Sequence, residues 1–165
     1  VITDSEPAGL ASQKRNTKGK EITELKTEQI AQEKKWWLGD GLKNIVILIE
    51  DPIHTIIEDS ALEFLTNILV ACRLGIKDIV IINYHHHPKG YMEIKKQFNT
   101  KTFLLFGVNA AQIQLNFTFP FYQPMKYDNC QFILSPKLNT LMQNTPEAKK
   151  EKGKLWLGLK NAFQI

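Results

Sequence analysis

An acidic residue and a histidine follow the first strongly apolar segment of the chain. The residues Glu50-Asp51-Pro52-Ile53-His54 come directly after Ile45-Val46-Ile47-Leu48-Ile49. A carboxylate at this position could activate a water molecule, with the histidine beside it. The same residues suit a structural role, because Pro52 would turn the chain out of the strand. Asp51 and His54 are therefore weak candidates for catalysis, and we expect the structural role.

Three consecutive histidines, His85, His86 and His87, follow the second strongly apolar segment. Neighbouring side chains point in different directions, whereas the ligands of a metal must converge on one point. The position is nevertheless one where open α/β sheets often bind ligands, since it follows a strand. We expect a solvated loop, and the alternatives are a contact with phosphate or nucleic acid and a metal site.

The motifs of several common chemistries are missing from the sequence. No glycine-rich phosphate loop follows an apolar segment, and Gly107-Val108-Asn109 lacks the spacing of a dinucleotide fingerprint. Cys72 and Cys130 belong to no reactive motif, and buried reduced cysteines are typical of the cytoplasm. No apolar run approaches the ~20 residues of a membrane helix. We therefore predict no cofactor, no metal, no small-molecule substrate and no membrane contact.

The net positive charge lies near the end of the chain. Lysine and arginine number 21 against 17 aspartates and glutamates, and the two kinds balance in residues 1–40 and again in residues 41–136. A basic cluster can attract phosphate or an acidic protein surface, although a solvated helix face is the simpler interpretation. The candidates for contact with DNA phosphates are Lys149, Lys150, Lys152 and Lys154.

Four apolar segments predict the strands that would position these residues: 44–49, 77–83, 101–106 and 130–134. Each is rich in β-branched and aliphatic residues, which is typical of strands covered on both faces. Helical segments at 60–74 and 91–98 lie between them, and such crossovers produce a parallel sheet. The sequence thus predicts a three-layer α/β/α sandwich with a mostly parallel four-stranded sheet.

Three helix starts carry recognisable signals. Ser60 and Glu63 have the spacing of a capping box, whereas Ser135-Pro136 and Thr145-Pro146 each place a hydroxyl before a proline at the first helical position. The last helix has an apolar face that contains Trp156 and Phe163 at helical spacing.

The composition divides the chain into three parts. Residues 1–20 are polar and predict a flexible tail, residues 21–38 predict a helix that packs on the domain, and residues 39–165 predict a single α/β domain. The predicted N-terminal helix ends in a tryptophan pair, and tryptophan is enriched among binding hot spots. The candidates for partner binding are Trp36, Trp37, Trp156 and Phe163.

The last part of the sequence contains three short motifs. They are Ser135-Pro136-Lys137-Leu138-Asn139-Thr140-Leu141, then Asn144 and Pro146, then Lys154-Leu155-Trp156. These motifs resemble the family of psi subunits of bacterial DNA polymerase III, which has a Ser-Pro-x-Leu-x-x-Leu segment, an Asn-Pro step and a final helix with Leu-Trp. Phe64-Leu65-Thr66-Asn67-Ile68-Leu69 followed by Asp78-Ile79-Val80 is also similar, and the resemblance covers residues 44–163. It implies a non-enzymatic accessory subunit that binds the clamp loader through its N-terminal segment and a chi-like protein through its globular body.

Psi subunits resemble uracil-DNA glycosylases in fold, which implies a glycosylase-like fold here. The glycosylase loop Gly-Gln-Asp-Pro-Tyr-His corresponds to residues 49–54, where the aspartate, the proline and the histidine are kept. A second motif, His-Pro-Ser-Pro, falls on residues 133–136, where Ile133 replaces the histidine. Isoleucine cannot stabilise charge on a departing base. The resemblance implies a scaffold without the chemistry, and the alternatives are a glycosylase-superfamily enzyme using Asp51 and a weak DNA-binding module.

Overall fold

The structure is a computed structural model, and it describes residues 35–165. The predicted tail (1–20) and most of the predicted N-terminal helix (21–38) lie outside the described residues. Residues Trp37–Ile165 form one compact unit. The prediction of a helix is wrong for residues 37–38, because Trp37–Leu38 forms a short strand, β1. Pairing with a sheet edge satisfies backbone groups that the edge would otherwise leave open.

In the described part of the chain, the sheet has six strands. They are β1, β2 (Ile45–Ile49), β3 (Ile79–Asn83), β4 (Thr102–Phe106), β5 (Met125–Tyr127) and β6 (Cys130–Ser135), in the spatial order β1-β3-β2-β4-β6-β5. The four predicted strands are all present, and they pair in parallel at the centre of the sheet. The two added edge strands are antiparallel to their neighbours, so the sheet is mixed. The prediction of a four-stranded sheet is therefore wrong, whereas the α/β class is confirmed.

The strand β5 joins the sheet through a tight hairpin with β6. Asp128 and Asn129 connect the two strands, and both have a positive φ, of 53° and 58°. Two successive residues of this kind form the turn that matches the twist of a two-stranded hairpin. A segment of three residues is too short for its apolar pattern to predict a strand. Its place in the sheet depends on this turn.

Within residues 35–165, four α-helices connect or follow the strands. They are α1 (Asp59–Ala71), α2 (Tyr91–Phe98), α3 (Leu138–Met142) and α4 (Pro146–Phe163). Thr145 caps α4 as predicted, since its hydroxyl accepts from the Ala148 N–H at 3.1 Å. The prediction of a capping box at Ser60 is wrong, because α1 begins at Asp59 and the Ser60 hydroxyl donates to Glu58. The predicted helix start at Ser135-Pro136 is also wrong, because Ser135 ends β6 and α3 begins at Leu138. No helix within residues 35–165 combines the length and the apolar character needed to cross a membrane.

Helices lie on both faces of the sheet. One face packs against α1, α3 and α4, through leucines such as Leu65, Leu141 and Leu155. The other face is aromatic: Phe103 and Phe132 stack with their ring centroids 4.8 Å apart, and Tyr91 of α2 meets both rings edge-on. This sheet needs cover on both faces, because most side chains of its central parallel strands are apolar. The four central strands therefore form a rigid base for the loops at their carboxyl ends.

Candidate functional site

A cavity lies at the carboxyl ends of β2 and β4. The chain leaves β2 toward β3 on one side and returns from β3 to β4 on the other, so the connections diverge at this point. Open α/β sheets bind ligands in the crevice that such a divergence creates. The cavity has a volume of about 170 Å³. Its lining comprises residues 49–54, Ile57, Glu58, Ala61, Phe106, Leu138 and Asn139.

The Asp51 carboxylate organises the loop that borders this cavity. Its Oδ1 atom accepts from the backbone N–H groups of Ile53 and His54, each at 3.0 Å. Its Oδ2 atom accepts from the Glu58 N–H, also at 3.0 Å. The His54 Nδ1 atom lies 2.9 Å from Oδ2 and 3.1 Å from Oδ1. A carboxylate has about four acceptor sites, so these donors occupy nearly all its capacity.

The same hydrogen bonds control the ionisation of Asp51. Burial acts to raise its pKa, but the hydrogen bonds from His54 and Ile53 outweigh burial and hold the pKa below its ordinary value. A general base works best when its pKa lies near the working pH. Asp51 is therefore ionised at neutral pH but poorly suited to take a proton from water.

His54 is oriented by Asp51. An ionised carboxylate only accepts hydrogen bonds, so the Nδ1 atom of the imidazole carries the proton that it donates to Asp51. The side chain is 44% exposed. A histidine held in this way activates a serine or cysteine in many hydrolases, but neither residue type lines the cavity. The pair could at most polarise a water molecule.

Asn83, at the end of β3, is the site residue that sequence reasoning missed. It is fully buried, and its Nδ2 atom donates to the backbone carbonyls of Asp51 at 2.7 Å and His54 at 2.9 Å. Its Oδ1 atom accepts from the N–H groups of Asp51 at 3.0 Å and His85 at 3.2 Å. One amide thus joins the loops after β2 and β3. The signal in the sequence was an amide residue at the end of an apolar strand.

The histidine loop (residues 85–87) lies next to the Asn83 amide. His85 and His86 are exposed, and their rings meet edge-on with centroids 5.0 Å apart. The His85 Nδ1 atom lies 3.5 Å from a carboxylate oxygen of Glu50. Burial, together with the charges of Lys89 and His86, lowers the pKa of His87. In the described part of the chain, no three histidine, cysteine or acidic side chains form a group that could hold a metal ion.

Ile133, which takes the place of the glycosylase histidine in the resemblance, is a core residue. It is 1% exposed and lies in the apolar cluster between the sheet and the α1 face. It does not line the cavity that Asp51 borders. This position therefore contributes packing, and it brings no charged or polar group to the candidate site.

The four lysine candidates lie on α4 but do not share one surface. Successive residues of a helix are rotated by about 100°, so Lys149, Lys150, Lys152 and Lys154 spread over more than half the circumference. Lys152 is half-buried, and Lys154 forms an ion pair with Glu151 at 3.2 Å. One DNA strand could therefore contact only some of the four lysines at a time.

The aromatic candidates are each half-buried. Trp37 meets the ring of Phe98 edge-on with centroids 5.0 Å apart, on the α2 face of the sheet. Trp156 and Phe163 pack against the apolar cluster on the opposite face. The structure thus does not bring Trp37 and Trp156 together, and both contribute to the fold. Trp36 is also half-buried.

Comparison with known proteins does not extend this description. No protein-family model matches the sequence, and no curated protein matches it. The geometry of the residues described above is therefore the basis for assigning a function.

Proposed function

We propose that the protein is a non-enzymatic accessory subunit of a bacterial DNA polymerase III holoenzyme, similar to the psi family. It would link the clamp loader to a second replication protein, such as a chi-like subunit. The observation that carries this proposal is the engagement of Asp51, whose carboxylate is used by hydrogen bonds from its own loop. The residue best placed for catalysis thus acts as a structural element.

Base excision needs two contributions from the protein. One group must position or activate water, and another must stabilise the negative charge that develops on the departing base. Asp51 has little capacity left for the first role, because its oxygen atoms already accept from three backbone N–H groups and His54. Ile133 offers nothing for the second role. Both features favour a binding protein on a scaffold similar to the glycosylases.

The arrangement of the psi-like motif also supports the proposal. Ser135-Pro136 follows the last central strand, and the two motif leucines, Leu138 and Leu141, are buried against the core. The motif is thus part of the packing between β6, α3 and α4. A central parallel sheet with helices on both faces is the architecture expected for a glycosylase-like fold.

The test is reconstitution with purified clamp-loader subunits from the same bacterium. We expect the full chain to co-elute with them in size-exclusion chromatography, and Asp51→Asn and His54→Gln to co-elute equally well. A chain that lacks residues 1–19 should bind the clamp loader more weakly, since the resemblance assigns this contact to the N-terminal segment. Failure of the full chain to form any complex would contradict the proposal.

The second candidate is an enzyme of the glycosylase superfamily. It is favoured by the position of the Asp51–His54 pair on a cavity where α/β proteins bind ligands. An assay for uracil release from single- and double-stranded DNA separates the two candidates. We expect no release. Excision by the full chain that disappears in Asp51→Asn would establish the enzyme instead.

A further inference from the structure

The solvent side of α4 carries an apolar side chain among lysines. We define the outer face of α4 as Lys149, Lys150, Gly153, Leu157 and Lys160, which lie within about a third of the helix circumference at 100° per residue. Leu157 is 65% exposed, and the other four residues are exposed as well. The buried side of the same helix contains Leu155 and Leu159. The outer face is therefore not needed for the packing of α4 on its own domain.

Gly153 lies in the middle of this face without a structural reason. Glycine is among the poorest helix formers, and it is usually retained in a helix where a side chain would not fit. Among residues 35–165, a Cβ atom at Gly153 would meet nothing within 4 Å, whereas one at Gly158 would collide with the carbonyl oxygen of Tyr122. Gly153 therefore leaves the helix backbone uncovered beside Leu157. Such a gap lets another molecule approach the helix closely.

The charge of the outer face is entirely positive. The sequence has an excess of four positive charges, and the same excess is found between Lys137 and Ile165. The nearby acidic residue Glu151 is occupied, because Tyr122 donates to it at 2.6 Å and Lys154 pairs with it at 3.2 Å. Within residues 35–165, neither Lys149 nor Lys150 forms a salt bridge. An acidic surface is thus the complementary partner for this face.

The apolar centre favours a protein over a nucleic acid. The sugar-phosphate backbone would satisfy the lysines but would offer no large apolar group to cover Leu157. A protein surface can supply both, because interfaces commonly combine an apolar centre with a charged rim. The gap at Gly153 is also suited to an inserted side chain and has no use in contacts between lysine and phosphate.

We propose that the outer face of α4 binds an acidic protein surface that places a large apolar side chain over Gly153 and against Leu157. The inference rests on the proposed function, because this surface would receive the second protein that the subunit links to the clamp loader. The lysines would steer the partner and the apolar contact would set the affinity.

The probe for this proposal is a short synthetic peptide of aspartate and glutamate with one central phenylalanine, labelled for fluorescence anisotropy. It is titrated with the full chain, beside the same peptide with alanine at the centre and an oligothymidylate of equal charge. We expect the phenylalanine peptide to bind roughly fivefold more tightly than the alanine peptide. Tighter binding of the oligothymidylate, or equal binding of both peptides, would overturn the proposal.

The variants test the face residue by residue. Leu157→Gln and Gly153→Gln should remove most of the preference for phenylalanine, and Gly153→Gln should not lower the melting temperature, because glutamine favours the helix. Met92→Gln is the matched control for Leu157→Gln, since Met92 of α2 is 64% exposed. Lys96→Gln on α2 is the control for Lys150→Gln, which should weaken the binding of both peptides. An unchanged preference in Gly153→Gln and Leu157→Gln would refute the assignment of this face.

The same preparations separate this inference from the proposed function. Clamp-loader binding by a chain that shows no preference for phenylalanine would refute the docking face and leave the proposed function standing. A clear preference in a chain that forms no complex with the clamp loader would refute the proposed function and support an acidic partner of another kind.

Discussion

Polar groups have opposite roles in two regions, the loop after β2 (residues 51–58) and the outer face of α4. Asp51 of the loop and Asn83 at the end of β3 direct their polar atoms toward backbone groups of the same chain, and both are largely or fully shielded from solvent. On α4, Lys149 and Lys150 extend into solvent around an exposed leucine. The loop lies where α/β proteins place active sites, yet the helix face has the groups that remain available to another molecule.

This difference shows that position in the fold is weaker evidence of function than the use of each polar group. The carboxyl end of a parallel sheet is a frequent ligand site, but a carboxylate there is catalytic only if part of it can reach a substrate or a water molecule. At Asp51, the hydrogen bonds hold the loop in place, and they do not raise the pKa of the carboxylate toward that of a general base. Variants in the loop and on the outer face of α4 test this difference between the two regions.

The largest effect is expected for Asn83→Ala. This change removes the acceptor of two N–H groups and the donor to at least two carbonyls, in hydrogen bonds that are partly buried. Unpaired buried groups are costly, so we expect a loss of about 3 kcal/mol in the free energy of unfolding, measured with urea. Asn67→Ala on the exposed side of α1 is the control and should change it little. A small loss of unfolding free energy in Asn83→Ala would mean that the Asn83 hydrogen bonds do not fix the loop.

The two glycines of α4 should respond in opposite directions to alanine. Gly158→Ala places a methyl group against the Tyr122 carbonyl and should destabilise the protein by about 2 kcal/mol. Gly153→Ala adds its methyl group in open space and should stabilise the protein by about 1 kcal/mol. Thermal and urea unfolding of the two variants provide the comparison. Destabilisation by Gly153→Ala would show that the outer face packs against something in the chain itself.

A smaller and pH-dependent effect is expected for Asp51→Asn. Loss of the charge weakens the hydrogen bonds to the loop, and we expect a destabilisation of about 1.5 kcal/mol at neutral pH. The pKa of Asp51 is lower in the folded protein than its ordinary value of 3.8. The unfolded chain therefore binds the proton first as the pH falls, so the stabilisation by Asp51 is complete above pH 3.8 and is lost below it. Urea unfolding at several pH values should show the two proteins converging in acid.

The fold was more accessible from sequence than the site, and particular residues show why. Continuous apolar runs such as Ile79–Asn83 predict central strands, because burial on both faces imposes the same composition on every position. The edge strands Trp37–Leu38 and Met125–Tyr127 are too short for such a pattern and depend on pairing with the neighbouring strand. The sequence also placed Asp51 and His54 after the end of a central strand, although it did not reveal how completely Asp51 is engaged.

Asn83 could not have been recognised from its neighbours in the chain. Its side chain binds carbonyls that lie 32 and 29 residues away, and those contacts exist only after β2 and β3 have paired. A similar effect explains the cap of α1. The Glu58 N–H is taken by Asp51, which fixes the start of the helix one residue before Ser60. Local capping signals are overridden when a distant or neighbouring loop supplies the acceptor first.

The smallest effect should come from the lysines themselves. Lys149→Gln and Lys150→Gln together should change the free energy of unfolding by less than about 0.5 kcal/mol, since exposed side chains without ion pairs contribute little to stability. Any DNA binding through these two lysines is expected to be weak and salt-dependent. If the two lysines neutralise two phosphates, the slope of log affinity against log salt concentration is about −1.8 for duplex DNA. The double variant should remove this slope, and Lys96→Gln should leave it unchanged. A much steeper slope in the unmodified chain would show that DNA uses a larger surface than the outer face of α4, and the nucleic-acid-binding alternative would then replace the protein-binding role.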